Sequence, residues 1–129
     1  SAVRRVRMSV VYDKNRFLSN IKRQSLRLTQ ILEIPQNQAH ILLSKYFYGE
    51  NSLSEVKRKI NAGKFERRLF LAAVAPDADQ NILNMFAEQF PEILISVTSS
   101  PVATIYDGNC AELILEVFSL NSEHLQKSL

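Results

Sequence analysis

The sequence predicts a single α+β module over residues 1–129, in which a strand and three helices precede a half that mixes strands with helices. Two observations predict this class. The run from Arg68 to Ala75 is apolar, is bounded by charge and by Pro76, and is too short for an independent helix, so we interpret it as a buried strand. Residues 3–12 alternate apolar and polar side chains with the period of two that is typical of a half-buried strand.

The charge of the chain is divided unevenly along its length. Residues 1–68 carry fifteen Lys and Arg against five Asp and Glu, a net +10, whereas residues 69–129 carry one Lys against eight acids, a net −7. This contrast separates a basic part, residues 1–66, from an acidic part, residues 67–129. A basic part of this density is either a phosphate-binding surface or a solvated charged face.

After the first strand, the basic part is expected to form three helices. Asp13 or Asn15 caps the first, which ends near Glu33 because the residue before Pro35 is pushed out of the α region. Pro35 suits the first turn of the second helix, and Gly49 ends it.

The third helix has the clearest start signal in the chain. Ser52 and Glu55 form a capping box, in which the serine bonds forward to a free amide and the glutamate bonds back. The helix is expected to run to about Asn61, with Gly63 as its natural stop.

Residues 31–60 resemble a known helical family. The residues that carry the resemblance are Ile34-Pro35, Ala39, Leu42-Leu43, Tyr46-Phe47 and Leu53. Their spacing is similar to that of ubiquitin-associated (UBA-like) helices, as in the amino-terminal part of Ariadne-type ubiquitin ligases, although the tryptophan often seen after the aromatic pair is absent. The resemblance implies binding of ubiquitin or a ubiquitin-like protein through an exposed apolar patch.

The acidic part continues with a helix and a strand. Asp77 and Asp79 are suitable helix caps, and Phe90-Pro91 closes the helix that follows them. Residues 92–98 alternate in the manner of a strand.

The last third of the chain is less clear. Residues 102–106 are expected to form a short strand. Residues 110–120 fit either a strand or a helix, and their branched and aromatic side chains favour a strand at 113–118. Asn121 or Ser122 would then cap a final helix.

From residue 67 onwards this order of elements resembles the RNA-recognition motif, the ferredoxin-like ribonucleoprotein domain. Residues 69–74 resemble its first signature, with Ala73 where asparagine is usual, and residues 79–93 and 115–129 resemble later elements of that family. The resemblance implies a ferredoxin-like α/β sandwich half at residues 67–129. Phe70 is the one base-stacking aromatic in a matching place, since Leu113 and Leu115 stand where aromatics are expected. The implied domain is therefore degenerate and has lost base recognition on its sheet.

Neither catalysis nor a cofactor is expected. His40 and His124 are the only histidines and fall in different predicted helices, and no pair of carboxylates has a convincing catalytic spacing. Cys110 is the only cysteine, which excludes an internal disulfide and a cysteine-clustered zinc site, and we interpret it as a buried structural thiol. We expect no metal site.

The sequence also has no apolar run of the ~18 residues that a membrane span requires, and its first twenty residues lack the apolar block of a signal peptide. These features predict a cytoplasmic or nuclear protein with no membrane partner. The opening Ser1-Ala2-Val3 is typical of a cut chain, which predicts a module of a larger protein.

The leading expectation for function is nucleic-acid binding, to RNA more than DNA, through contacts of the basic part with the phosphate backbone. The expected contacts are Arg4, Arg5, Arg7, Lys22, Arg23, Arg27, Lys57, Arg58 and Lys59, with Tyr48 as an exposed aromatic contact. The alternative is a protein–protein interaction module, which recognises a ubiquitin-like partner or holds a larger assembly or oligomer together.

Overall fold

The computed structural model describes residues 12–121 and residue 123, and every regular element within them is a helix, with no strand. The elements in order are α1 (Lys14–Leu32), α2 (Gln36–Leu42), a π-helical turn (Leu43–Phe47, the π turn), α3 (Leu53–Asn61), a 3₁₀ segment (Arg67–Ala73), α4 (Gln80–Thr98), α5 (Val102–Ile105) and α6 (Cys110–Val117). The prediction of an α+β fold with a ferredoxin-like, RRM-like sandwich half at residues 67–129 is therefore wrong. The predicted strand at residues 3–12 lies outside the described residues, apart from Tyr12.

Residues 69–75 form the centre of the molecule, and every one of them is buried. They are not a strand, because α1 supplies the hydrogen bonds that a neighbouring strand would have supplied. The side-chain amide of Asn20 donates to the carbonyl of Ala72 at 2.9 Å, and that of Gln24 donates to the carbonyl of Leu71 at 2.9 Å. With these carbonyls satisfied by buried side chains, the run can coil into a 3₁₀ segment in the interior.

The helices of the basic part agree with the local signals of the sequence. Asp13 caps α1 by accepting from the amide of Arg16 at 3.1 Å, and Ser52 caps α3 by accepting from the amide of Glu55 at 3.1 Å. The helix expected between Pro35 and Gly49 is α2 together with the π turn. These three helical predictions are confirmed, with a π-helical end that periodicity does not reveal. Two details differ: both carboxylate oxygens of Glu55 bind Arg58, so the returning bond of the predicted capping box is not formed, and Pro35 is the N-cap of α2 and precedes its first turn.

The strand predicted at residues 92–98 is instead the second half of α4, which continues through Pro91. Ile93 and Val97 are buried, whereas Ile95 between them is exposed, which is the pattern of one helical face. Pro91 has no backbone N–H to donate, and because it is exposed, the helix loses that hydrogen bond on its solvent side.

The two other strands predicted in the acidic part are also helices. The hydroxyl of Ser100 accepts from the amide of Val102 at 3.1 Å, and α5 replaces the strand at residues 102–106. Asn109 accepts from the amides of Ala111 and Glu112, so it caps α6, which replaces the strand at residues 113–118. Asn121 accepts from the amide of Glu123 at 3.0 Å, as a cap would, but the body of the predicted last helix lies outside the described residues.

One buried core joins the basic and acidic parts. Phe118, which follows α6, meets Phe47 of the π turn edge-on at 6.0 Å and Phe86 of α4 at 5.3 Å between ring centroids. Edge-to-face rings at these distances attract each other, and this attraction adds to the free energy gained by burying their surface. The π turn is thereby packed against the acidic helices, and a polar cleft lies beside it.

Candidate anion-binding cleft

A cleft of about 400 Å³ is lined by the π turn, the loop after it, the start of the 3₁₀ segment and one side of α4. Its lining residues are Lys45, Tyr48, Gly49, Arg67, Arg68, Gln89, Glu92 and Ser96. Lys45 and Arg67 are exposed, and Arg68 is half-buried. A volume of this size falls in the range of ligand-binding clefts.

The π turn places Lys45 at the cleft. In this turn the amide of Tyr48 donates to the carbonyl of Leu43, five residues earlier, at 3.1 Å. Leu43 is buried and Lys45 is exposed. The hydroxyl of Ser96 donates to the carbonyl of Tyr46 at 2.8 Å and so ties the turn to α4. Single π-helical turns of this kind occur frequently at functional sites.

Two consecutive arginines at the start of the 3₁₀ segment also line the cleft. Arg67 has a left-handed backbone with φ of 58°, a conformation that costs a residue with a Cβ roughly 1–2 kcal/mol. In a strand, consecutive side chains point to opposite faces, yet Arg67 and Arg68 line the same cleft. The guanidinium of Arg68 donates to the carbonyl of Phe47 at 3.3 Å, which uses one of its N–H groups.

The charge of the cleft is mainly positive. Partial burial lowers the pKa of Arg68, the nearby carboxylate of Glu92 opposes that effect, and Arg67 lowers it further. Arginine remains protonated at any physiological pH despite such shifts. The ion pairs among the described residues join Arg16 to Asp77, Arg58 to Glu55 and Lys59 to Glu50, so none of them involves a cleft cation. Within the described part of the chain, Glu92 is the one acid that lines the cleft, and it offsets part of the charge of the three cations.

Tyr48 differs from its predicted role. It is 2% exposed, burial strongly raises the pKa of its phenol, and its O–H donates to Oε1 of Gln24 at 2.6 Å. The expectation that Tyr48 is an exposed aromatic contact is therefore wrong. It forms part of the cleft wall from inside the core.

The predicted contacts on α3 form a mixed-charge surface. Arg58 pairs with Glu55 one turn away, and Nζ of Lys59 binds Glu50 at 2.8 Å. Lys57 is exposed and lies close enough to His40 to lower its pKa, although burial of the imidazole lowers it more. Because Glu50 follows Gly49 of the cleft wall, this surface begins at the rim of the cleft.

The predicted contacts on α1 are not among the residues that line the cleft. Lys22 and Arg27 are exposed, while Arg23 is half-buried, with Nε and Nη2 buried and without a hydrogen-bond partner. Arg16, and to a smaller extent Arg23, lower the pKa of Asp77 in the loop after the 3₁₀ segment. The predicted contacts Arg4, Arg5 and Arg7 lie outside the described residues.

Sequence reasoning missed all three cations of the cleft. Two signals for them were present. Arg67 and Arg68 stand together where a buried run begins, and Lys45 directly precedes the aromatic cluster of Tyr46, Phe47 and Tyr48.

The part of the chain that the structure describes also bears on the expectations for a metal site, a buried thiol and a membrane-spanning helix. It holds no group of three or more His, Cys, Asp or Glu side chains that could bind a metal ion. Cys110 packs against the core and is half-buried, so its thiol is less buried than expected. No described helix combines the length and the apolar composition needed to cross a membrane.

The fold and the cleft define a small all-helical protein, over its described residues, with a cationic site beside a π turn. No protein-family model, curated protein or solved structure matches the chain significantly.

Proposed function

We propose that this protein is a non-catalytic nucleic-acid-binding module that prefers RNA and holds the phosphate backbone in the cleft. The observation that carries the proposal is the convergence of Lys45, Arg67 and Arg68 on one cleft, where none of them is neutralised by an ion pair. Guanidinium groups are suited to phosphate because their planar N–H forks match two of its oxygens.

The strain at Arg67 supports a functional role for the site. Its left-handed φ of 58° is tolerated although glycine would adopt it at lower cost. Arg67 in this conformation and its neighbour Arg68 both line the cleft.

A nucleic-acid strand would continue from the cleft onto α3. Glu50 at the rim accepts from Lys59, and Lys57 is exposed on the same helix. Arg58 and Lys59 are already paired with acids, so they add less affinity than the cleft cations. The chain would act in the cytoplasm or nucleus as an accessory module of a larger assembly.

The test is fluorescence anisotropy with a labelled single-stranded RNA at several salt concentrations. If three phosphates are neutralised, raising salt from 50 to 200 mM should weaken binding roughly twentyfold. The double variant Lys45→Ala with Arg67→Ala should bind at least tenfold more weakly and show a shallower salt dependence.

The matched control is Lys22→Ala with Arg27→Ala, which removes the same charge from exposed positions outside the cleft. Its RNA affinity should stay within about twofold of that of the wild type, since only the general effect of net charge is lost. Equal losses in the two double variants, or binding that does not depend on salt, would contradict the proposal.

Protein binding is the second candidate, and one observation favours it. Within residues 31–60, the side chain of Ile41 is 52% exposed. Most of the side chains that carry the UBA-like resemblance, including Leu42, Leu43 and Phe47, are buried in the core, so an apolar patch would depend on Ile41. Titration with ubiquitin, followed by backbone NMR, should shift resonances around α2 in the wild type and not in Ile41→Lys; the absence of any shift would remove this candidate.

A further inference from the structure

The cleft has a feature that plain backbone binding does not explain. Gln89, Glu92 and Ser96 are spaced so that they share one face of α4, and all three line the cleft that the cations enter. The carboxylate of Glu92 is close enough to Arg68 to affect its pKa, but it forms no ion pair within 4.0 Å in the described structure. An anion in this position repels phosphate.

An ionised carboxylate can only accept hydrogen bonds. Glu92 is exposed at the cleft, so a ligand with a hydrogen-bond donor beside its phosphate could offset this repulsion by donating to the carboxylate. The ribose 2′-OH is such a donor and occurs in every nucleotide of RNA, whereas DNA carries the phosphate without it. Base amino groups are also donors, but their positions vary with sequence and would not suit a site that follows the backbone.

We infer that Glu92 makes the cleft select RNA over DNA by accepting a hydrogen bond from a ribose 2′-OH whose neighbouring phosphate is held by Arg67, Arg68 and Lys45. This inference rests on the proposed function and names the group that sets its preference. Gln89 lies one turn before Glu92 on the same wall and can donate to a phosphate or sugar oxygen. The simpler alternative is that Glu92 only offsets the charge of Arg68.

Three oligonucleotides of one sequence and length separate these alternatives: RNA, 2′-fluoro RNA and DNA. The 2′-fluoro group keeps the ribose pucker of RNA and removes the donor. The wild type should bind RNA about tenfold more tightly than 2′-fluoro RNA, the effect expected of a hydrogen bond to a charged group. Equal binding of RNA and 2′-fluoro RNA would overturn the inference and leave the proposed function standing.

The variant Glu92→Ala should abolish the preference and strengthen DNA binding, because the repulsion is removed along with the acceptor. Glu88→Ala is the matched control: it removes the same charge from an exposed position of α4 that does not line the cleft, and the preference should remain. Equal strengthening of all three ligands by Glu92→Ala would show that Glu92 only repels anions.

A second variant keeps the test valid if Glu92→Ala does not fold. Glu92→Gln keeps the shape and a weaker, neutral acceptor, so its preference for RNA over 2′-fluoro RNA should lie between those of the wild type and Glu92→Ala. A preference unchanged from the wild type in Glu92→Gln would count against an ionised acceptor. If the wild type binds none of the three ligands, the proposed function itself fails.

Discussion

Tyr48 donates its phenolic O–H to Oε1 of Gln24 at 2.6 Å, and both side chains are buried. Gln24 in turn donates its amide to the carbonyl of Leu71 at 2.9 Å. This buried chain of hydrogen bonds connects the end of the π turn, through α1, to the 3₁₀ segment. Those two elements carry the cleft cations, so the hydrogen bonds help to hold the walls of the cleft at a constant separation.

The first prediction concerns that connection. Tyr48→Phe leaves Oε1 of Gln24 in the interior without its donor, which should reduce the free energy of unfolding by about 1–3 kcal/mol. The measurement is urea denaturation followed by far-ultraviolet circular dichroism. Tyr46→Phe is the control, because Tyr46 is only half-buried and its loss of a hydroxyl should change stability by less than about 0.5 kcal/mol. Equal stability of the two variants would show that the buried bond contributes nothing.

The second prediction isolates the backbone strain at Arg67. Arg67→Gly and Arg67→Ala both remove the guanidinium and should lose the same RNA affinity. The glycine variant should be more stable than the alanine variant by about 1 kcal/mol, because glycine adopts φ of 58° without a Cβ clash. Thermal and chemical unfolding of both variants measure the difference.

Arg68 provides the control for that comparison, because it is not among the residues of positive φ. There the order should reverse, with Arg68→Ala more stable than Arg68→Gly by roughly 0.5–1 kcal/mol. If the alanine variant were the more stable one at both positions, the backbone of Arg67 would be unstrained.

The third prediction concerns the proline within α4. Pro91→Ala restores an amide hydrogen bond to the helix and should raise its stability by about 1–3 kcal/mol, because the side chain is exposed and no core packing is lost. Calorimetry would detect this as a higher Tm. Pro76→Ala, an exposed change in the turn before α4, should be neutral or slightly destabilising. A lower Tm for Pro91→Ala would mean that the fold needs a bend at this position.

The fourth prediction uses His40 as a reporter of Lys57. Burial, and then Lys57, lower the pKa of His40 below its ordinary 6.5. Because the unfolded chain binds the proton more readily, stability should fall as the pH drops from about 6.5 through the lower folded pKa, and should be unaffected by His40 above that window. The pKa is measured by NMR titration of the imidazole.

Lys57→Gln should raise the pKa of His40, and RNA should raise it in the wild type if a phosphate neutralises Lys57. His40→Gln should remove this contribution to the pH dependence of unfolding. An imidazole pKa that neither Lys57→Gln nor saturating RNA changes would show that Lys57 neither interacts with His40 nor contacts the nucleic acid.

Local signals in the sequence were enough to predict α1, α2 and α3. Asp13 and Ser52 accept hydrogen bonds from amides within one turn of themselves, and Pro35 fixes its own backbone at the start of α2, so these effects can be recognised without knowing the fold. The same kind of signal precedes α6, where Asn109 stands three residues before Glu112, but the branched side chains that follow favour a strand, and the two signals conflict.

The state of residues 68–75 and the arrangement of the cleft were set by tertiary contacts. A short apolar run fits a buried strand and a buried helical segment equally well, and the partners available to its backbone decide between them. Here Asn20 and Gln24, more than forty residues earlier, supply those partners. The charge contrast and the buried centre could thus be predicted from residue types alone. The meeting of Lys45 with Arg67 and Arg68 could not, because it depends on a π turn and a left-handed arginine that only the packed molecule holds in place.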